Sequence, residues 1–398
     1  MSKLDKGSKI AVIGSGSMGA GIAQVAATAG HKVCLFDNHS EALDAASGKL
    51  TKIFNRLVEK ERITRSEADS ILARIEFCQN LEDLAGSDLI VEAIVEDLEA
   101  KRNLFSHLEL IADDNTILAT NTSSLSIAKI ASACSKPHRV LGIHFFNPAP
   151  LMPLVEIIPA VQTSGDALVE ARNLIDSWGK VTVIAKDTPG FIVNRVARPF
   201  YGEALRILEE GIADVPTIDW AVKELGGFRM GPFELMDYIG NDINYVVTET
   251  VFKEFFYDPR YRPSFTQKRM MEAGWLGRKT GKGYYDYSEG AVNPKPTEDK
   301  ELGQKVLHRI LVMLINEAAD ALYLNISTRE GIELAMTRGV NYPKGLFQWA
   351  DELGLENVLS QLETLQKFYA EDRYRASVLL KKMVKEIKTF YSENLIEN

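Results

Sequence analysis

Cysteine is scarce in this chain of 398 residues: Cys34, Cys78 and Cys134 stand singly, with no CxxC spacing. The expectation is no disulfide framework, no metal site and a cytoplasmic compartment. Long apolar runs are missing too. No stretch approaches the roughly 18 apolar residues that a membrane span needs, so no membrane partner is expected. The opening MSKLDKGSKIAVIGSG passes from a short polar lead into a strand. It has neither the apolar stretch of a signal peptide nor the Arg/Ser-rich character of a transit peptide. Positive charge is outweighed, 46 Lys and Arg against 55 Asp and Glu, and the net charge of −9 argues against a nucleic-acid partner. Apolar residues at 45% and charged residues at 25% are the balance of an ordinary globular protein, too long here for a single core.

Glycine, by contrast, is concentrated where it matters. Lys9 to Ile13 read KIAVI, a short apolar run suited to a buried parallel strand, followed by Gly14-Ser15-Gly16-Ser17-Met18-Gly19 and a helix rich in small residues. A second strand, HKVCLFD, ends at Asp37. A GxGxxG between strand and helix, with an acid at the end of the next strand, is the fingerprint of a dinucleotide site. Gly14 permits the tight turn, Gly16 lets the backbone approach a pyrophosphate, and Gly19 allows close contact of helix and sheet. Asp37 can accept hydrogen bonds from the adenosine ribose. Asn38 and His39 supply no arginine for a 2′-phosphate, so the expected cofactor is NAD.

Apolar runs recur at Asp88–Ile94, Asn115–Ser123, Arg139–Phe146, Leu154–Ala160 and Lys180–Asp187, alternating with helical stretches as in a doubly wound sheet. Ligands of such sheets sit beyond the carboxyl ends of the strands. That gives weight to Asp37, Glu96, Asn121, Ser123, His144 and Asn147. The stretch between Asp37 and the third strand reads as helical throughout. It carries Lys49, Lys52, Arg56 and Lys60 at helical spacing, either a solvated basic stripe or a landing strip for phosphates.

GIHFFNP places His144 at a strand end, and Glu156 stands in the neighbouring apolar strand LVEII. An imidazole beside a buried carboxylate is what a dehydrogenase needs to take the proton of an alcohol while hydride leaves. The other histidines, His31, His39, His107, His138 and His308, read as ordinary core or surface residues.

GSGSMGAGIAQ, VEAIVEDLEAK, TNTSSL, HFFNPAPLMPLVEII, DTPGFIVNR, MGPFELMDYIG and GRKTGKGYYDY together resemble the 3-hydroxyacyl-CoA dehydrogenase family, over about residues 8 to 287. The resemblance implies His144 as catalytic base and Glu156 as its partner, with Ser123 and Asn194 holding the substrate's C3 oxygen. It implies cofactor contacts from Gly14, Gly16, Ser17, Met18, Gly19, Asp37, Glu96, Lys101, Asn147 and Lys279. It also assigns the CoA moiety of a 3-hydroxyacyl-CoA substrate to the basic helix: Lys60 matches a family lysine and Lys49, Lys52 and Arg56 add charge, although Ile53 stands where relatives can carry serine. The lysine that related hydroxy-acid dehydrogenases place four residues before the asparagine is Gly190 here.

Beyond Asp187 the chain is written twice. NRVARPFYGEALRILEEGI and MGPFELMDYIG return as HRILVMLINEAADALYLNI and PKGLFQWADELG at a constant offset of 114 (317 − 203), from Glu203/Glu317 to Gly240/Gly354, with no gap in evidence. Asn194 corresponds to His308, so the substrate asparagine belongs to the first copy alone. The expected architecture is an α/β Rossmann domain (1–187) with an inserted helical hairpin, then two tandem all-α domains (188–287 and 302–398) joined by the polar stretch Ser288–Glu301. Tandem copies resemble bacterial 3-hydroxybutyryl-CoA and 3-hydroxyadipyl-CoA dehydrogenases and fatty-acid oxidation enzymes. Single-copy relatives pair through this domain, so the expectation is an internal pseudo-dimer and a monomeric chain. Two readings stay open beside oxidation of an (S)-3-hydroxyacyl-CoA: a dehydrogenase of a free hydroxy acid, and a non-catalytic protein on the same scaffold.

Overall fold

The computed structural model of the chain describes residues 4–391 and divides it into two compact units, 1–188 and 189–398. In the first unit the apolar runs become strands: β1 (Ile10–Ile13), β2 (Val33–Phe36), β3 (Ile75–Cys78), β4 (Leu89–Glu92), β5 (Ile117–Thr120), β6 (Val140–Phe145), β7 (Leu154–Pro159) and β8 (Val181–Ile184). They form one sheet in the order β3-β2-β1-β4-β5-β6-β7-β8, parallel except where β7 runs against β6. Helices α1 (Ser17–Thr28), α2 (Ser40–Glu59), α3 (Arg65–Leu72), α4 (Leu98–Ile111), α5 (Ile127–Ala131) and α6 (Gly165–Ser177) join the strands. Local chemistry sets their starts. Thr64 and Glu67 close a capping box on α3, and Asp97 and Ser164 accept first-turn N–H groups of α4 and α6. Strands β1 and β4 are buried along their whole length, as expected at the centre of a parallel sheet.

Two expectations fail in this unit. The segment between Asp37 and the third apolar run is not helical throughout, because Ile75–Cys78 leaves the α2–α3 hairpin and adds β3 parallel to β2. The chain also holds a disulfide, Cys34–Cys78, with Cα atoms 6.2 Å apart. The register explains it: Cys34 lies opposite Glu76, so Cys78, two residues on, is its diagonal neighbour on the same face. With that bond present, the cysteines do not indicate the compartment.

The second unit is helical: α7 (Val193–Val196), α8 (Arg198–Glu209), α9 (Val215–Trp220), α10 (Pro232–Ile239), α11 (Asn241–Glu254), α12 (Phe265–Glu272), α13 (Lys300–Tyr323), α14 (Arg329–Leu334), α15 (Leu346–Leu353), α16 (Leu355–Tyr369) and α17 (Val378–Lys385). Helices α9 and α14 each run on into a π-helical turn, Ala221–Leu225 and Ala335–Gly339, at the same offset of 114 (335 − 221). The start of each following helix is capped by an equivalent carboxylate. Asp219 accepts from Phe233 N and Glu234 N, and Glu333 accepts from Phe347 N and Gln348 N. The repeat is not gapless, however. After α16 the offset drops to 113, since α12 begins at Phe265 and α17 at Val378 (378 − 265).

One difference between the copies has a simple cause. Helix α13 covers in a single rod what α7 and α8 cover in two pieces. Pro199 stands in the first turn of α8, and proline has no N–H for the helical ladder, so the first copy breaks at Ala197. The second copy has Met313 at that place and continues. The linker returns along the first copy, with Thr297 N donating to Thr217 Oγ1. Among the described residues, no helix is long and apolar enough to cross a membrane.

Candidate active site

The carboxyl ends of β1, β2 and β4 open onto a cavity of about 610 Å³ lined by Gly14, Gly16, Phe36, Asp37, Asn38, His39, Leu81 and Ile94, among others. Gly14 has φ +94°, and a Cβ there would meet Ala93 O at 2.6 Å; a Cβ on Gly19 would lie 1.7 Å from Gly14 O. Both positions therefore admit only glycine. A Cβ on Gly16 would meet nothing within 4 Å, so that backbone faces open space, and α1 begins without a side-chain cap. Its first N–H groups are the kind that receive a pyrophosphate. Ser17 and Met18 form the first turn of that helix. Asp37 accepts from Ser15 N and Ser15 Oγ, both at 2.8 Å, and from His39 N at 3.1 Å. Burial opposes its charge, but these hydrogen bonds, with His39 nearby, hold its carboxyl below the usual range. These residues fit NAD, with a carboxylate at the end of β2 and no arginine in the lining.

Farther along the same edge, β6 and β7 pair antiparallel with His144 directly opposite Glu156. Cross-strand partners project from the same face, and His144 Nδ1 lies 2.7 Å from Glu156 Oε2. Both are buried, Glu156 completely. The loop from Phe146 to Pro153 begins with exposed Asn147, whose peptide bond to Pro148 is cis. Lys180 Nζ holds that loop through the carbonyls of Ala149 (2.5 Å) and Met152 (2.9 Å). Asn121 Oδ1 accepts from Phe145 N at 2.8 Å, and Asn121 N donates to Glu92 O, fixing the strand end that bears His144.

Between these two places runs a chain of charges. Glu92, at the end of β4 and fully buried, accepts from Lys101 Nζ at 2.5 Å, Thr120 Oγ1 at 2.7 Å and Ile94 N at 2.7 Å. Lys101 Nζ also lies 3.4 Å from Glu96. Glu96 in turn accepts from Thr122 Oγ1, Ser123 N and Ser124 Oγ. Burial pushes the Glu96 carboxyl up, but Lys101 and these donors overcome it, leaving it below the usual range. Lys101 itself is 1% exposed, so its charge acts through the carboxylates of Glu92 and Glu96 that it touches. Glu92 escaped the sequence reading, although the signal that found Glu156, one charge in an apolar strand, was there in LIVE.

The structure brings Gly14, Gly16, Asp37, Glu96, Ser123, His144 and Asn147 to one edge of one sheet. Lys49, Lys52 and Arg56 stand on α2 and Lys60 just past its end, all exposed and, among the described residues, with no carboxylate partner. The opposite face of α2 buries Leu43, Ala46, Leu50 and Phe54. Asn194 and Lys279 belong to the second unit, Asn194 on α7 and Lys279 bound to both carboxylate oxygens of Asp242 at 2.6 and 2.7 Å.

Residues 9–188 match the NAD binding domain of the 3-hydroxyacyl-CoA dehydrogenases, and residues 190–287 and 306–390 match the C-terminal domain of that family. The chain is similar to the 3-hydroxyadipyl-CoA dehydrogenase of Escherichia coli (strain K12), 37% identical over 457 residues and covering 94% of this chain and 96% of that one. It is 41% identical over 281 residues to a probable 3-hydroxybutyryl-CoA dehydrogenase of Bacillus subtilis (strain 168), covering 71% of this chain and 98% of that one. Among solved structures, a 3-hydroxybutyryl-CoA dehydrogenase from Escherichia coli K12 superposes with a TM-score of 0.90 at 35% identity, over 96% of this chain and 99% of that one.

Proposed function

Because the chain belongs to the 3-hydroxyacyl-CoA dehydrogenase family, we propose that it oxidises an (S)-3-hydroxyacyl-CoA to the 3-oxoacyl-CoA, with the His144–Glu156 pair handling the proton. The observation that carries this reading is the cross-strand contact of 2.7 Å between His144 and Glu156, buried at the carboxyl edge of a dinucleotide-binding sheet. Glu156 holds Nδ1, which sets the tautomer and stabilises the imidazolium. The alcohol proton goes to Nε2. Bound NAD supplies the hydride acceptor. Ser123 and Asn194 hold the C3 oxygen, Ser123 from a loop that Glu96 orders. Asn147 and Lys279 complete the contacts on the cofactor side. A cytoplasmic location, where NAD and CoA thioesters are dissolved, is part of the same proposal.

Asp37 makes NAD the preferred dinucleotide, since its carboxylate repels a 2′-phosphate and the cavity lining offers no arginine. The expected result is a kcat/KM for NAD at least about 100-fold above that for NADP, roughly the 2–3 kcal/mol cost of leaving such charges unmatched. Comparable values would remove Asp37 from the ribose.

The exposed stripe Lys49, Lys52, Arg56 and Lys60 separates a CoA thioester from a free hydroxy acid, which has no distant phosphates to bind. Neutralising Lys52 and Arg56 together is expected to raise KM for CoA thioesters by about tenfold at low salt and to flatten its salt dependence. KM for the matching pantetheine thioester should stay within twofold, as roughly expected where no screened charge pair is lost. Equal damage to both substrates would assign the stripe to folding or to the acyl pocket, and would restore the free-acid reading.

A further inference from the structure

The two helical copies meet through reciprocal ion networks. Glu317, on α13 of the second copy and fully buried, accepts from Arg195 Nε at 2.6 Å, Arg260 Nη1 at 3.1 Å and Tyr261 OH at 2.5 Å, all three from the first copy. Glu203, its counterpart in the first copy, accepts from Arg309 Nε at 3.0 Å and Tyr374 OH at 3.0 Å and lies 3.9 Å from Arg373 Nε, all from the second. Arg195 and Arg309 occupy equivalent places (309 − 195 = 114), as do Tyr261 and Tyr374 (374 − 261 = 113). Each copy's glutamate is thus held by the other copy's cations, Glu203 also lying 3.8 Å from Arg206 of its own helix, and the crossed pairs have the pattern of a twofold interface closed inside one chain.

The networks match in chemistry but not in what they support. Arg309 sits within the unbroken rod of α13, whose orientation is fixed by 24 residues of helix. Arg195 sits on α7, a single turn of four residues cut off from α8 at Ala197. So short a turn has little stability of its own, and its rotation depends on whatever grips its side chains. Asn194 is the adjacent residue on that turn. Arg195 is gripped by Glu317 and covered by the Phe255 ring, 5.1 Å from its guanidinium carbon. Burial works against both charges, yet each stabilises the other, so the Glu317 carboxyl is held below its usual range and the Arg195 guanidinium above.

We propose that Glu317 of the second copy is a positioning residue for the reaction: by anchoring Arg195 it sets the rotation of α7 and so the place of Asn194. The second copy then has a function beyond covering an apolar face, because it supplies a buried charged anchor to the turn that carries Asn194. This inference rests on the reading of Asn194 given above.

The pseudo-symmetry provides the control. Glu317→Gln and Glu203→Gln each remove one equivalent buried charge, so both should lower the melting temperature. Only Glu317→Gln should lower kcat, by on the order of tenfold or more, the scale of a misplaced substrate contact. Its Kd for NAD should stay at the wild-type value, and Glu203→Gln should keep kcat within about twofold, as expected when no reacting group moves. Should either glutamate variant fail to fold, Tyr261→Phe and Tyr374→Phe make the same comparison by removing one hydrogen bond from each network. Equal losses of kcat in the two members of a pair, or no loss in the Glu317 or Tyr261 member, would overturn the proposal. Wild-type turnover of a 3-hydroxyacyl-CoA is measured alongside: its absence would refute the reading of the reaction, whereas turnover with equal responses would refute the anchor alone.

Discussion

Replacing His144 by glutamine is expected to abolish turnover while leaving NAD binding at its wild-type strength. The imidazole is buried at the end of β6 with Glu156 against its Nδ1, and glutamine keeps hydrogen-bonding capacity but has no proton to exchange near neutral pH. Loss of a general base costs roughly 10²–10⁴ in rate, and Glu156→Gln is expected to fall in a similar range because the pair acts as a unit. In the proposed reading the dinucleotide rests on other residues, the glycine turn, the start of α1 and Asp37, which line a cavity whose lining does not include His144. Stopped-flow or steady-state kcat, set beside a fluorescence titration with NADH, separates the two effects. A variant that keeps more than about half of its kcat would take His144 out of the proton transfer, given the size of effect expected of a general base.

Removing residues 301 to 398 is expected to leave a protein that dimerises or aggregates. Helix α13 is the centre of the second unit, with Ile310, Val312, Leu314, Ile315 and Ala318 all fully buried, and its loss exposes the faces of α8 and of the Ala221–Leu225 turn that pack on it. Exposed apolar patches of that kind drive association. The deletion also strips Arg309, Arg373 and Tyr374 from Glu203, leaving it only Arg206 of its own helix at 3.8 Å, a loss of roughly 3–5 kcal/mol unless another molecule supplies the missing partners. A second truncated chain carries Arg195, Arg260 and Tyr261, the residues equivalent to those lost, so a twofold pair is the natural remedy. Size-exclusion chromatography with light scattering gives the outcome. A soluble, monomeric truncated protein would show that the two copies do not stand in for a dimer.

Much of this could be read from the sequence, for reasons that differ from element to element. The glycine turn and Asp37 were legible because their spacing is tied to backbone geometry at one strand–helix junction. His144 and Glu156 were legible because a charge inside an apolar strand needs a partner, and the eleven residues between them suit a turn between neighbouring strands. The duplication showed itself as a constant offset, which any helical packing would preserve. Strand β3 did not show itself: IEFC is four residues long, carries a charge, and follows twenty-eight residues of two helices that obscure it. The Cys34–Cys78 bond needed the register of β3 against β2, which no spacing within the chain discloses. The crossed networks of Glu203 and Glu317 were equally hidden, since nothing in a repeat says whether its charges pair within a copy or between copies.

In the proposed reaction a buried His–Glu pair on an NAD-binding sheet serves a CoA thioester. Its most direct test is the consumption of NADH with a series of 3-oxoacyl-CoA thioesters of different chain length and terminal charge, each matched by the free 3-oxo acid. Turnover of at least one thioester by the wild-type chain is expected, with loss of that turnover in His144→Gln and none with the free acids. Oxidation of NADH with the free acids at equal efficiency, or no turnover with any thioester by a folded protein that binds NADH, would contradict it.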